Sequence, residues 1–243
     1  MTDVTKPARI GPWMAILLMM AVFAALEVVL PMARAAITPH LTLKTARDTV
    51  ALRAASSIAL DWIMFGAVWI FLRLRGQTLK SIGWRLPASI WGWLLAIAVA
   101  VLYAGFTAMG PIMKGQPILT DWSLFRIATA LGIGITAGIC EETVFRGFVM
   151  SQARDGGVHW IVQVILSALL FGLAHVGWGG LTGHFQMAQM IGAMAATSIL
   201  GLMLAFAYLL SGRSLTPVIF AHGAIDAVIE PWLLLFSVSG AHF

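Results

Sequence analysis

Charge is scarce in this sequence. Only 10% of its 243 residues are charged, against roughly 25% in a soluble globular domain. With 60% hydrophobic residues and a mean hydropathy of +0.92, that deficit excludes an ordinary water-soluble fold. Cysteine occurs once, at Cys140, which excludes an intrachain disulfide and any multi-cysteine metal site. Its neighbour Glu141 invites a nucleophile reading, but a small apolar core residue is the better account of a lone cysteine here. No H-E-x-x-H occurs, so the local signal of a zinc protease is missing. No internal repeat or low-complexity tract is present, and no segment alternates with the ~10-residue pattern of an outer-membrane barrel.

What is present is a set of apolar runs that reach the ~20 residues a helix needs to cross the hydrocarbon core. Spans are expected at about 12–31, 54–72, 88–109, 124–153, 158–176, 185–211 and 214–230, and a short apolar piece after Pro231 stands as a candidate eighth. The fold class is therefore all-α, a polytopic membrane bundle of about seven or eight transmembrane helices. The longest polar connection, Pro31 to Arg53, is too short for a second folded unit, so residues 1–243 read as a single integral membrane domain. Lys6 and Arg9 precede an apolar run from Trp13 to about Leu30, and Ala33 to Ala35 mimic a signal-peptidase site. The run exceeds the ~7–15 residues of a signal-peptide core, which favours an uncleaved first span.

A net charge of +5 raises nucleic acid as a partner, but the basic residues sit in short connections, where they set membrane orientation. No nucleic-acid partner is expected; the bilayer is. A cytoplasmic N-terminus puts Arg73, Arg75, Lys80 and Arg85 on the cytoplasmic side, followed by Arg146 with Arg154 and then Arg213. The opposite loop 177–184 and the C-terminus carry no Lys or Arg, whereas Arg34, Lys44, Arg47 and Arg53 oppose this orientation. Trp84, Trp91, Trp93 and Trp160 suit interfacial anchors or core packing equally. His40, His159, His184 and His242 fall near span ends or in loops, as solvated histidines do.

Six of the ten acidic residues, Glu27, Asp61, Glu141, Glu142, Asp226 and Glu230, fall within or at the ends of apolar spans. An ionisable group there costs at least a few kcal/mol unless it is paired or hydrated, so each is a functional candidate by default. For Glu27, Asp61 and Glu230, ion pairing or an interfacial position is favoured over hydrating a pocket. The spacing separates the adjacent pair in "GICEETVFRG". Glu142 and Arg146 are four apart, on one helical face, and can form an ion pair that lowers the cost of both. Glu141 points about 100° away without that partner, which suits a general base in apolar surroundings.

Two further pairs stand four apart, Phe171 with His175 and His222 with Asp226. A hydrogen-bonded core histidine is the competing reading of His175, and a buried side-chain hydrogen bond that of His222 with Asp226. Depth brings the groups together. At ~1.5 Å per residue, Glu141 and His175 lie on the order of 20 and 27 Å along their helices from the turn near Asp155. Asp226 and His222 lie on the order of 20 and 13 Å from the turn at Gly212, expected on the same side. Gly134 and Gly138 form a G-x-x-x-G just before the glutamates, a face suited to close helix contact.

These residues resemble a known family. Glu141 to Arg146 ("EETVFR") is similar to E-E-x-x-x-R, Phe171 to His175 ("FGLAH") to F-x-x-x-H, and His222 to Asp226 ("HGAID") to H-x-x-x-N/D of the CPBP group, the CAAX-protease and bacteriocin-processing family. Leu79 to Arg85 ("LKSIGWR") resembles a short family feature, and the likeness covers roughly residues 75–235. The resemblance implies a glutamate-dependent intramembrane endopeptidase. In it Glu141 activates water, His175 holds that water, and His222 with Asp226 stabilises the oxyanion, while Glu142, Arg146 and Phe171 support the site. Many members have Asn at the position of Asp226; an ionised Asp only accepts, so either it is protonated or it orients His222.

No cofactor is implied, although Glu141, His175, His222 and Asp226 make a chemically acceptable zinc set as the minority reading. The expected partner is a peptide or membrane-protein substrate: a CAAX-like C-terminus, a leader peptide or a membrane segment. The rival function class is a non-proteolytic membrane scaffold, immunity or partner-binding protein of the same family. A transporter is disfavoured, since no Gly- or Pro-broken helices recur in corresponding halves of the chain.

Overall fold

The computed structural model describes residues 9–42, 46–87, 89–113, 124–176 and 187–239. Every regular element among them is helical. Pro12 opens α1 (Pro12–Ile37), where its missing N–H breaks no helical bond. The helix continues through Pro31, beyond its expected end, because Pro in a membrane helix is tolerated once neighbouring groups satisfy the freed carbonyl. α2 (Ala46–Leu74) likewise starts earlier than expected, so the polar connection read between Pro31 and Arg53 is mostly helix. A 3₁₀ turn, Leu79–Ile82, leads to α3 (Ile90–Met113). The next rod is composite: α4 (Leu124–Glu142), a π-helical segment Thr143–Val149, and α5 (Met150–Asp155). α6 (Trp160–Ala174), α7 (Met187–Leu210) and α8 (Leu215–Ser239) complete the bundle.

Among the described residues five helical stretches are long and apolar enough to cross a membrane, and Trp160–Ala174 and Leu215–Ile229 are shorter apolar helices. The chain is a multi-pass membrane bundle. α8 runs unbroken past Pro231, so the apolar piece after it is the end of that helix and not a separate eighth span. Loop 177–184, Lys6, Lys44, His184, His242 and the side chain of Glu230 lie outside the described residues.

Connections at one end of the bundle are tied together. Arg75 pairs with Asp155 at 3.6 Å and donates to Gln152 at 2.8 Å, and Arg9 N bonds Leu74 O at 2.9 Å. Arg85 donates to Gly212 O at 2.6 Å, and Arg213 to Gln163 at 2.7 Å. The basic residues of the N-terminal segment, the α2–α3 connection and the α5–α6 and α7–α8 turns thus share one face. Gly83 sits there at φ 106, which a side chain would strain, and its carbonyl accepts from Leu215 N at 2.8 Å.

α4 and α8 form the most extensive helix pair. A Cβ on Gly138 would lie 3.0 Å from Gly223 N and 3.1 Å from its Cα, so the two backbones are nearly in contact. Gly138→Ala is expected to lower stability by about 1–3 kcal/mol through overpacking and to reduce function by displacing α8. Gly105→Ala, where nothing lies within 4 Å, is the control. Thermal unfolding of the two variants in detergent checks this: equal midpoints would contradict the close contact.

Candidate active site

Glu141 and Glu142 are the last two residues of α4, and the π segment begins directly after them. Interruptions of this type often occur at functional sites, because the wider turn redirects the residues that follow. The segment is buried throughout. Thr143 Oγ1 bonds Ile139 O at 2.6 Å and accepts from Trp84 Nε1 at 3.1 Å. Gly147 faces Ile82, to which Tyr208 also donates at 3.0 Å. The loop "LKSIGWR" therefore clamps the π segment, and Trp84 is a packing and hydrogen-bonding residue of this clamp.

The expected Glu142–Arg146 pair is present at 2.7 Å, with both side chains fully buried. The same Glu142 Oε1 also meets His222 Nδ1 at 2.7 Å, a contact that spacing did not reveal. A carboxylate already accepting from a guanidinium has no hydrogen to give, so His222 Nδ1 is the donor. Arg146 further reaches Gly201 O at 3.3 Å, and its guanidinium lies 4.3 Å above the Phe171 ring. Phe171 also contacts His175 and His222, with centroid distances of 4.6 and 5.5 Å. One apolar ring thus spaces the cation from the two imidazoles.

His175 is the residue that ends α6 rather than part of its regular run; its φ of −94° and ψ of 2° depart from the helix. Its Nδ1 donates to Phe171 O at 2.8 Å, since a carbonyl only accepts. Both imidazoles thereby commit Nδ1 to a fixed acceptor and turn Nε2 toward Glu141. Glu141 Oε2 lies 3.8 Å from His175 Nε2 and 3.9 Å from His222 Nε2, and has no direct hydrogen-bond partner among the described residues. Asp226 Oδ2 is 3.4 Å from His222 Nε2. The structure thus brings Glu141, His175, His222 and Asp226 together, as depth along the helices suggested.

A small cavity opens beside Glu141, with about 30 Å³ open to the centres of water-sized molecules, and is lined also by Phe23, Glu27, Ser57, Asp61, Phe145 and His175. Glu27 and Asp61, expected to be ion-paired or interfacial, instead face it from α1 and α2. Their signal in the sequence was an acid within an apolar span. What spacing could not supply was the direction in which those helices present them. Cys140 is buried in the bundle, as the packing reading had it. Among the described residues no three His, Cys, Asp or Glu side chains are grouped so that they could hold a metal ion.

Residues 121–228 match the family described as Rce1-like, type II CAAX prenyl endopeptidase. The chain carries an Rce1-like domain. All three motifs lie inside the match, in agreement with the CPBP resemblance that they carry. The clamp at Leu79–Arg85 and the two acids on α1 and α2 lie outside the matched residues. No curated protein and no solved structure matches the chain.

Proposed function

We propose that the Rce1-like domain is a metal-independent, glutamate-dependent intramembrane endopeptidase. The observation that carries this reading is Glu141 Oε2, without a direct hydrogen bond among the described residues and 3.8 and 3.9 Å from two imidazole nitrogens whose other nitrogens are already fixed. Those separations exceed a hydrogen bond and suit a water bridging the groups at about 2.8 Å from each. Such a water donates one hydrogen to Glu141 and the other to His175 Nε2. As its oxygen attacks the peptide carbonyl, Glu141 takes the first proton and later delivers it to the leaving nitrogen.

The oxyanion forms beside His222, whose Nε2 donates to it while Glu142 holds the ring through Nδ1. Because Glu142 at 2.7 Å already orients the imidazole, Asp226 at 3.4 Å is not needed for that task. Asp226→Asn is therefore expected to preserve kcat within about threefold or to raise it, since an amide donates where an ionised carboxylate cannot. A tenfold loss would instead assign the orienting role to Asp226.

The substrate is a peptide or membrane protein presented within the bilayer. The family description points to a prenylated CAAX-type C-terminus, and leader peptides and membrane segments fit the same chemistry. The shared basic face supports a cytoplasmic N-terminus, in the plasma or inner membrane. The test compares protein termini in cells carrying native protein with those in cells carrying Glu141→Gln. New termini that depend on Glu141 support the proposal. Identical termini, with Glu141→Gln complementing a deletion, would establish a scaffold. Stoichiometric zinc in active protein, lost with activity on chelation, would overturn metal independence.

A further inference from the structure

The cavity beside Glu141 contains two more carboxyls than this mechanism uses. Asp61 from α2 and Glu27 from α1 line it together with Ser57, Glu141 and His175. Asp61 is only 8% exposed and, among the described residues, makes no hydrogen bond or ion pair. Among the described residues no Lys or Arg lines the cavity. Behind Glu141 stand His222 and Asp226 from α8 and the internally neutral Glu142–Arg146 pair. An isolated carboxylate at this depth is costly unless water, a proton or a cation satisfies it.

Volume separates those choices. A cavity of about 30 Å³ takes one or two waters. The acids therefore face water rather than a basic subsite for substrate.

We propose that Asp61 is a positioning residue for proton transfer at Glu141: with Glu27 and Ser57 it holds cavity water against the Glu141 carboxyl and exchanges a proton with it. This rests on the endopeptidase reading. Attack forms the O–C bond and moves one water proton to Glu141; the C–N bond breaks as that proton passes to the leaving nitrogen. The new carboxylic acid then releases the second water proton to Glu141, from which it crosses the cavity water to Asp61 and on to the departing amine. Products are a carboxylate and an ammonium, and both side chains return to their starting state.

The kinetic substrate is a synthetic peptide spanning the dominant terminus that purified native protein generates in membranes from cells lacking it. Asp61→Asn is expected to lower kcat about 10- to 100-fold, a smaller loss than that of the base itself, with KM within twofold and an enlarged solvent deuterium isotope effect on kcat. Asp61→Glu should restore most of the rate. Glu27→Gln, at a less buried position, should shift the isotope effect in the same direction and guards against misfolding of Asp61→Asn. An unchanged isotope effect in both variants, whatever the rate, makes Asp61 merely structural and overturns the proposal. A change confined to KM for peptides with a basic residue overturns it in favour of a cation subsite. If Glu141→Gln retains full activity, or native protein makes no terminus, the endopeptidase reading itself falls, and this proposal with it.

Discussion

Glu141→Gln is expected to reduce turnover by about 10²–10⁴-fold, the contribution of a positioned general base, with little change in folding. The substitution is nearly isosteric, so the packing around α4 is kept. It also leaves Glu142, Arg146 and Phe171 untouched, and these together hold His222 in place. Only the group that accepts the water proton is lost. Single-turnover cleavage by native and variant protein in detergent measures the effect directly. Thermal unfolding should give the same midpoint for both. A variant that keeps its rate would remove Glu141 from the chemistry, and a variant that unfolds early would mean that Glu141 is a structural acid.

The second large effect is expected at Arg146, whose side chain is fully buried against an equally buried Glu142. Arg146→Ala leaves that carboxylate without its cation and empties the space over the Phe171 ring. Breaking a buried pair in this way costs about 3–5 kcal/mol. The loss should appear in unfolding and in activity, because Glu142 also holds His222 Nδ1. The double variant Glu142→Leu with Arg146→Met separates the two consequences. Replacing both charges with apolar side chains of similar size should recover much of the stability, while kcat stays low because His222 has lost its acceptor. Recovery of both would show that Glu142 matters only as the partner of Arg146.

How far the sequence reached differs between the paired and unpaired acids. The Glu142–Arg146 pair was legible because both residues sit on one helical run at a spacing of four, and local geometry decides such contacts. The convergence of Glu141, His175 and His222 was legible from arithmetic along rods of known rise. The apolar runs, by contrast, put span limits at Pro31 and just before Pro231, whereas both prolines lie inside helices that continue past them. A membrane bundle tolerates this where a soluble helix would break, since neighbouring groups satisfy the freed carbonyls.

Glu27 and Asp61 mark the other limit. Each was visible as an acid in an apolar run, and neither has a cationic partner at helical spacing to indicate where it points. Their direction depends on how α1 and α2 rotate against α4, which is set by packing over the whole bundle. The double use of Glu142, joined to Arg146 four residues on and to His222 eighty residues away, has the same origin.

Hydropathy and spacing along the chain were enough for an all-helical membrane bundle, for the separate roles open to two adjacent glutamates, and for the ordered motifs of the Rce1-like domain. Hydropathy, spacing and charge are local quantities, readable along one helix. Helix packing settles that His222 hangs from Glu142, that Glu141 faces two imidazole Nε2 atoms, and that the first two helices turn their acids into the same cavity. Those facts depend on the rotation and close approach of separate helices, which no spacing within a single helix encodes.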